Sequence, residues 1–254
     1  MSKIFKFFKR SFNTILNLVY LPKCIFCGEI MEPCTETLIC ENCENKIPKC
    51  SKFECCQKCG KPLYSTDNED ICDECTGKVS QYFSRIVSVF EYEGKVRSSI
   101  IRYKSSSLTG YGREYAHYMT DVIKEEYKNV KFDFIIATPP SKKRMREKGF
   151  DQIDFIAKEI SKQTKIKYLK NSIRQIAPRE KQSDLTYLER ISNVKDNFQV
   201  LKPKILNNAT VLLVDDVCTT CSTINECSKI LKDSRVNQIY AVTFATTQYA
   251  DDGV

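Results

Sequence analysis

Two groups of residues in the chain have the types and spacing that chemistry needs. The first is a set of four C-x-x-C pairs, Cys24/Cys27, Cys40/Cys43, Cys56/Cys59 and Cys72/Cys75. The second is "VLLVDDVCTTCSTINEC", Val211 to Cys227, in which an apolar run meets two acids, a hydroxyl-rich turn and a fifth C-x-x-C spacing. Thiolates in pairs are metal ligands. Acids followed by hydroxyls at the start of a helix suit a sugar phosphate.

The four pairs start 16 residues apart, so spacing alone does not say which pairs share a metal. Their flanks do better. Pairs one and three are followed by Gly28 and Gly60, whereas pairs two and four are preceded by Ile39 and Ile71. The repeat is therefore 32 residues long with four cysteines in each copy. Four thiolates suit tetrahedral Zn²⁺ and leave no open position for substrate, so the predicted role is structural. Each repeat is too short to bury a core, and metal binding would supply much of its folding free energy. Two Cys₄ zinc ribbons are expected. The alternatives are a cross-braced arrangement, with pairs one and three on one metal, and iron–sulfur or redox use. Cys34, Cys50 and Cys55 fall outside the repeat and are expected to be spare thiols.

In the second stretch, "VLLV" reads as a buried strand with Asp215 and Asp216 where it emerges. Thr219, Thr220, Cys221, Ser222 and Thr223 then lead into a helix, whose free backbone N–H groups attract an anion. Two carboxylates can accept hydrogen bonds from neighbouring ribose hydroxyls while the turn holds the 5-phosphate. The bland alternative is a capped helix after an edge strand. Cys218 and Cys221 also mimic a thioredoxin-like pair.

Elements must position these residues. From Ser80 onward, strand-like runs "RIVSVFEY", "FDFIIATP", "ATVLLVDD" and "QIYAVTFA" alternate with predicted helices at about 108–127, 151–162 and 223–232. That alternation predicts an α/β domain, with a mostly parallel sheet covered on both faces and ligands at the strands' carboxyl ends. The expected layout is an amphipathic N-terminal helix at 1–20, a double zinc ribbon at 21–79 and the α/β domain at 80–254. The first segment carries Ile4, Phe8, Phe12, Ile15, Leu16 and Val19 at helical spacing and reads as a helix docked on its own protein, with membrane-surface attachment as the alternative.

The chain has 254 residues, 42% of them hydrophobic and 28% charged, which excludes a disordered protein. No apolar run is long enough to span a bilayer. Eleven of the fourteen cysteines lie between Cys24 and Cys75. Their regular grouping, with no convincing signal peptide, favours thiolate–metal ligation in a reducing cytoplasm over a secreted disulfide framework. A net charge of +8 favours an anionic partner. His117, the only histidine, sits on a predicted helix and is expected to be structural or on the surface.

"VLLVDDVCTTCST" resembles the phosphoribosyl-diphosphate motif of type I phosphoribosyltransferases. With cysteine repeats upstream, the chain is similar to the ComF family of competence (DNA-uptake) proteins. "RMREKGFDQ" (144–152), "KQSDLTYLERISNVKDNF" (181–198) and "YEGKVRSSIIRYK" (92–104) resemble three further family segments, in the expected order. The resemblance implies the type I phosphoribosyltransferase fold, with Asp215 and Asp216 on the ribose hydroxyls and Thr219 to Thr223 on the 5-phosphate. "ATPPS" (137–141) ends a strand where this fold holds pyrophosphate. Lys142, Lys143, Arg144, Arg146 and Lys148 follow it, cations that would stabilise a departing pyrophosphate bridged by Mg²⁺. Arg174, Arg179, Lys181 and Arg190 form a second basic region.

One position departs from the pattern. The loop's usual glycine is Cys221 here, and a side chain there is expected to crowd the phosphate or force another loop shape. Two functions follow. One is a phosphoribosyltransferase using phosphoribosyl diphosphate and Mg²⁺ on an unidentified acceptor. The alternative is a non-catalytic accessory factor handling single-stranded DNA beside DNA-uptake proteins.

Overall fold

The computed structural model describes residues 21–32, 35–63, 70–77, 80–105, 108–140, 151–176 and 197–247. The expected helix at 1–20, Cys34 and the region around Arg179, Lys181 and Arg190 lie outside the described residues.

The ribbons form as two copies of one design. In each, the first C-x-x-C is the tip of a tight hairpin, closed by the isolated bridges Lys23↔Ile30 and Cys55↔Pro62. Gly28 (φ +79°) and Gly60 (φ +70°) complete the two turns in left-handed backbone. The second C-x-x-C opens a short helix, α1 (Glu41–Lys46) or α2 (Asp73–Thr76), with Cys40 or Cys72 at its N-cap. Such short helices have little stability of their own.

The remainder is a five-stranded, wholly parallel sheet of order β1-β7-β6-β2-β3. Its strands are β1 (Arg85–Glu91), β2 (Phe134–Ala137), β3 (Lys167–Tyr168), β6 (Thr210–Cys218) and β7 (Gln238–Thr246). On one face lie α3 (Gly94–Ser105), α4 (Thr109–Glu126) and α5 (Gln152–Thr164), and on the other lies α7 (Ser222–Asp233). A two-stranded antiparallel pair, β4 (Ile173–Gln175) with β5 (Phe198–Val200), and the short α6 (Pro203–Leu206) stand beside it. The predicted α/β class with a preceding double ribbon is what the chain adopts. α1, α2, α3, β3, β4, β5 and α6 add to the elements that sequence predicts.

Burial follows the period of two expected of strands. Leu212 and Val214 face the core under α3, α4 and α5, while Val211 and Leu213 face the core under α7. Each ribbon completes a different one of these cores. Cys24, Ile25, Phe26, Ile39 and Cys43 join the first, and Cys56, Cys59 and Cys72 join the second. Between them the ribbons straddle the outer edge of β1, where Ile86 N–H donates to the Lys58 carbonyl at 2.8 Å and Lys49 bridges Phe90. An edge strand's unpaired polar groups are thereby covered.

Candidate functional site

Pairs one and two form one cluster and pairs three and four another, with the sulfurs of each within 4.8 Å of one another. The cross-braced alternative is thereby excluded. Cys27 and Cys40 Sγ stand 3.6 Å apart, as do Cys59 and Cys72 Sγ. Tetrahedral zinc with bonds near 2.3 Å calls for sulfurs about 3.8 Å apart. Backbone N–H groups of Cys40 and Cys72 donate to the Cys24 and Cys56 sulfurs, as a thiolate requires. The Cys56 thiol is pulled far below the ordinary range by hydrogen bonds from Cys59, Cys72 and Cys75. Donor set and geometry fit two structural zinc ions. Cys50 and Cys55 stand apart from both clusters; burial raises both thiols, Cys55 to about 11.

The acid pair lies on β6, the central strand. Strand β6 continues to Cys218, so Asp215 and Asp216 sit within its last turn of pleat rather than just beyond it. From β2 the chain crosses to β3 on one side, and from β6 it crosses to β7 on the other. The gap between β2 and β6 is therefore the topological switch point, where such sheets bind ligands. Ala137 pairs with Val214, and Thr138 N–H donates to the Val214 carbonyl at 3.0 Å, so the "ATPP" segment abuts the acids.

Adjacent strand residues point to opposite faces, and the two acids meet different surroundings. Asp216, buried on the face of α3, pairs with Lys104 Nζ at 2.8 Å. Asp215 accepts the backbone N–H of Asp216 at 2.9 Å and a hydrogen bond from the Thr138 side chain. Burial, with the neighbouring Asp216 charge second, raises Asp215 to about 6. The two carboxylates thus straddle the strand end, one strongly charge-paired and one poised near neutrality.

The turn after β6 is fastened from β7. Thr246 Oγ1 donates to the Cys218 carbonyl at 2.9 Å, and Thr247 Oγ1 to that of Thr219 at 3.3 Å. Thr219, Thr220, Ser222 and Thr223 are partly exposed, and the Thr220 and Ser222 hydroxyls lie 2.5 Å apart. Cys221 is the N-cap of α7 but makes no side-chain cap bond, so the helix end is not plugged from that position. Its φ of +52° is the left-handed backbone that a glycine adopts freely. The expected crowding takes another form. The Cys221 side chain is buried, packed with the core under α7 and joined in a disulfide to Cys218. The backbone at this position keeps the left-handed shape that a glycine would adopt.

Sequence reading missed Lys104, although it ends the quoted "YEGKVRSSIIRYK" segment. It also missed Asn225 on α7, which clasps the linker after the second ribbon: Oδ1 accepts from Tyr82 N–H and Nδ2 donates to the Ser80 carbonyl, both at 2.9 Å. Lys142, Arg144 and Arg146, with Lys143 and Lys148, lie outside the described residues. Arg174 is exposed on β4 and bonded to Gln199, and His117 lies exposed on α4 beside Asp121.

Residues 15–76 match the Double zinc ribbon domain family. The chain is 26% identical over 221 residues to Competence protein F of Haemophilus influenzae, covering 85% of this chain and 93% of that protein. It is 22% identical over 231 residues to Competence protein ComFC of Streptococcus pneumoniae, covering 85% and 96%. Among solved structures, an adenine phosphoribosyltransferase is 12% identical, with a TM-score of 0.37 over 59% of this chain and 84% of that one. A glutamine phosphoribosylpyrophosphate amidotransferase from B. subtilis matches with the same identity and TM-score over 53% and 27%. The chain is thus similar to ComF-type competence proteins over most of its length.

Proposed function

We propose that this chain is a cytoplasmic phosphoribosyltransferase-like protein of the competence machinery, which binds phosphoribosyl diphosphate with Mg²⁺ and transfers the phosphoribosyl group to an unidentified acceptor. One observation carries the reading: acids on both faces of the central strand's end lead into a hydroxyl-lined turn whose left-handed cap opens α7, at the switch point of a parallel sheet. The similarity to competence proteins supports its biological setting.

In this reading a ribose lies over the end of β6, its hydroxyls held by Asp215 and Asp216, with the 5-phosphate on the turn from Thr219 to Thr223. Thr138 orients Asp215, and the 137–140 segment borders the pyrophosphate. Mg²⁺, when bound, neutralises pyrophosphate charge. The acceptor attacks C1 of the ribose as the bond to the pyrophosphate oxygen breaks, and the leaving group departs as the anion. Lys142, Arg144 and Arg146 would meet that anion. Neither zinc takes part in the reaction, because both ligand sets are complete.

Calorimetry with phosphoribosyl diphosphate and Mg²⁺ tests the proposal. Binding by the wild type and none by Asp215→Ala/Asp216→Ala is expected, and no binding by either overturns it. A second reading, single-stranded DNA handling among DNA-uptake proteins, rests on the net charge of +8. It requires an affinity that falls with salt and with neutralisation of Lys142, Lys143 and Arg144.

A further inference from the structure

Helix α3 touches both centres. Near its start, Lys95 Nζ lies 3.7 Å from Cys43 Sγ of the first zinc cluster. In its last turn, Arg102 donates to the carbonyls of Ile25 and Phe26 at 2.8 and 2.7 Å. Those two residues are the middle of the first C-x-x-C knuckle. Two positions on, Lys104 reaches Asp216 at 2.8 Å. A step of two residues turns a helix by about 200°, so Arg102 and Lys104 leave it on opposite sides. Between them Tyr103 is fully buried, donating to the Gln152 carbonyl at 3.0 Å and meeting Tyr115 edge-to-face.

A carboxylate as buried as Asp216, whose side chain is 10% exposed, needs a cation against it. Lys104 sits at the end of a helix, where the last turn frays. Arg102 counters that fraying by tying the same turn to two carbonyls on the knuckle. The knuckle offers those carbonyls in fixed positions only while folded around its metal.

We propose that Lys104 is a positioning residue for the acid pair, and that the first zinc knuckle holds it in place through Arg102. The ribbon is then part of the support of the strand-end site. The second cluster packs on the other face, with Phe83 and α7, and has no such link through α3. The inference about Lys104 concerns ligand binding only through the phosphoribosyl reading above, but the coupling itself can be measured without a ligand.

The primary experiment acetylates the full-length zinc-loaded protein with limiting reagent and follows Lys104 by peptide mass spectrometry. Asp216→Asn and Arg102→Ala should each raise Lys104 reactivity roughly tenfold, the factor set by an interaction worth about 1.4 kcal/mol. Zinc content is counted for every variant. If Arg102→Ala does not keep both metals, Arg102→Lys, which keeps the charge but not the double donation, is read in its place. Unchanged Lys104 reactivity in a zinc-replete Arg102 variant overturns the coupling. Calorimetry with ribose 5-phosphate is the second arm. Lys104→Gln should weaken binding about tenfold and Lys104→Arg should restore most of it; equal affinity for wild type and Lys104→Gln overturns the positioning role. A wild type that does not bind ribose 5-phosphate counts against the phosphoribosyl reading, while the labelling result still decides the coupling.

Discussion

Replacing Cys221 by glycine separates two effects that meet at one residue. The left-handed backbone at φ +52° costs a non-glycine residue about 1–2 kcal/mol, which glycine recovers. Glycine loses about 0.4–1 kcal/mol through the greater freedom of the unfolded chain. The backbone balance therefore favours glycine by roughly 1 kcal/mol. Against this stands the disulfide to Cys218, which closes a four-residue loop. The chain-entropy relation gives about 2 kcal/mol for so short a loop. Under oxidising conditions Cys221→Gly should thus be about 1 kcal/mol less stable than the wild type. Under a non-chelating reductant the order should invert, with the variant about 1 kcal/mol more stable. Cys221→Ala is the control, because it loses the disulfide and keeps the unfavourable backbone. It should trail the wild type by about 2 kcal/mol when oxidised and match it when reduced. Urea unfolding of zinc-loaded protein, with and without reductant, reads all three. Equal stability of the glycine and alanine variants under reductant would refute the left-handed assignment. An order that ignores reductant would refute the disulfide.

Three further outcomes are expected. Asp215 is raised to about 6 in the folded protein against about 4 unfolded, so the folded state holds its proton more tightly. Stability contributed by this group therefore falls as pH rises through that window and is level above it; Asp215→Asn should be more stable at pH 8 by at most about 3 kcal/mol, equal near pH 3, and unable to bind phosphoribosyl diphosphate, as unfolding curves at the two pH values and calorimetry will tell. A Cβ at Gly60 would lie 2.6 Å from the Ile86 carbonyl, whereas one at Gly28 meets nothing within 4 Å. Gly60→Ala should then cost well beyond the roughly 1 kcal/mol of backbone strain expected for Gly28→Ala, a difference seen in thermal melts. Cys56→Ser should release one zinc and retain the other, because the clusters share no ligand, which metal analysis by mass spectrometry will count.

Legibility from sequence tracked the range of the interactions. The cysteine repeat could be read because a knuckle's ligands lie within a few residues and the flanking Gly28 and Ile39 mark their places. The strands under both faces could be read because Val211 to Val214 are apolar without interruption, the mark of a strand buried on both sides. The acid pair and hydroxyl turn followed from that strand. Helix α3 was hidden because its buried positions Val96, Ile100 and Tyr103 are joined by Ser99, whose hydroxyl is satisfied only by Tyr115 from α4. Lys104 and Arg102 could not be assigned for the same reason: their partners lie more than 70 residues away in the chain. Nor does a cysteine announce the left-handed backbone found at Cys221, the N-cap of α7.

The bond from Ile86 N–H to the Lys58 carbonyl bears on how the molecule can be taken apart. Here the ribbons act as a detachable guard on β1, and their grip depends on metal. Stripping zinc would uncover the outer edge of a strand that carries the buried residues Val87, Val89 and Phe90, with its backbone free to pair with that of another molecule. Chelation should therefore promote self-association before the sheet itself melts, as light scattering against added chelator will read. For the same reason, a fragment cut at residue 80 would inherit a sticky border along with the strand-end site.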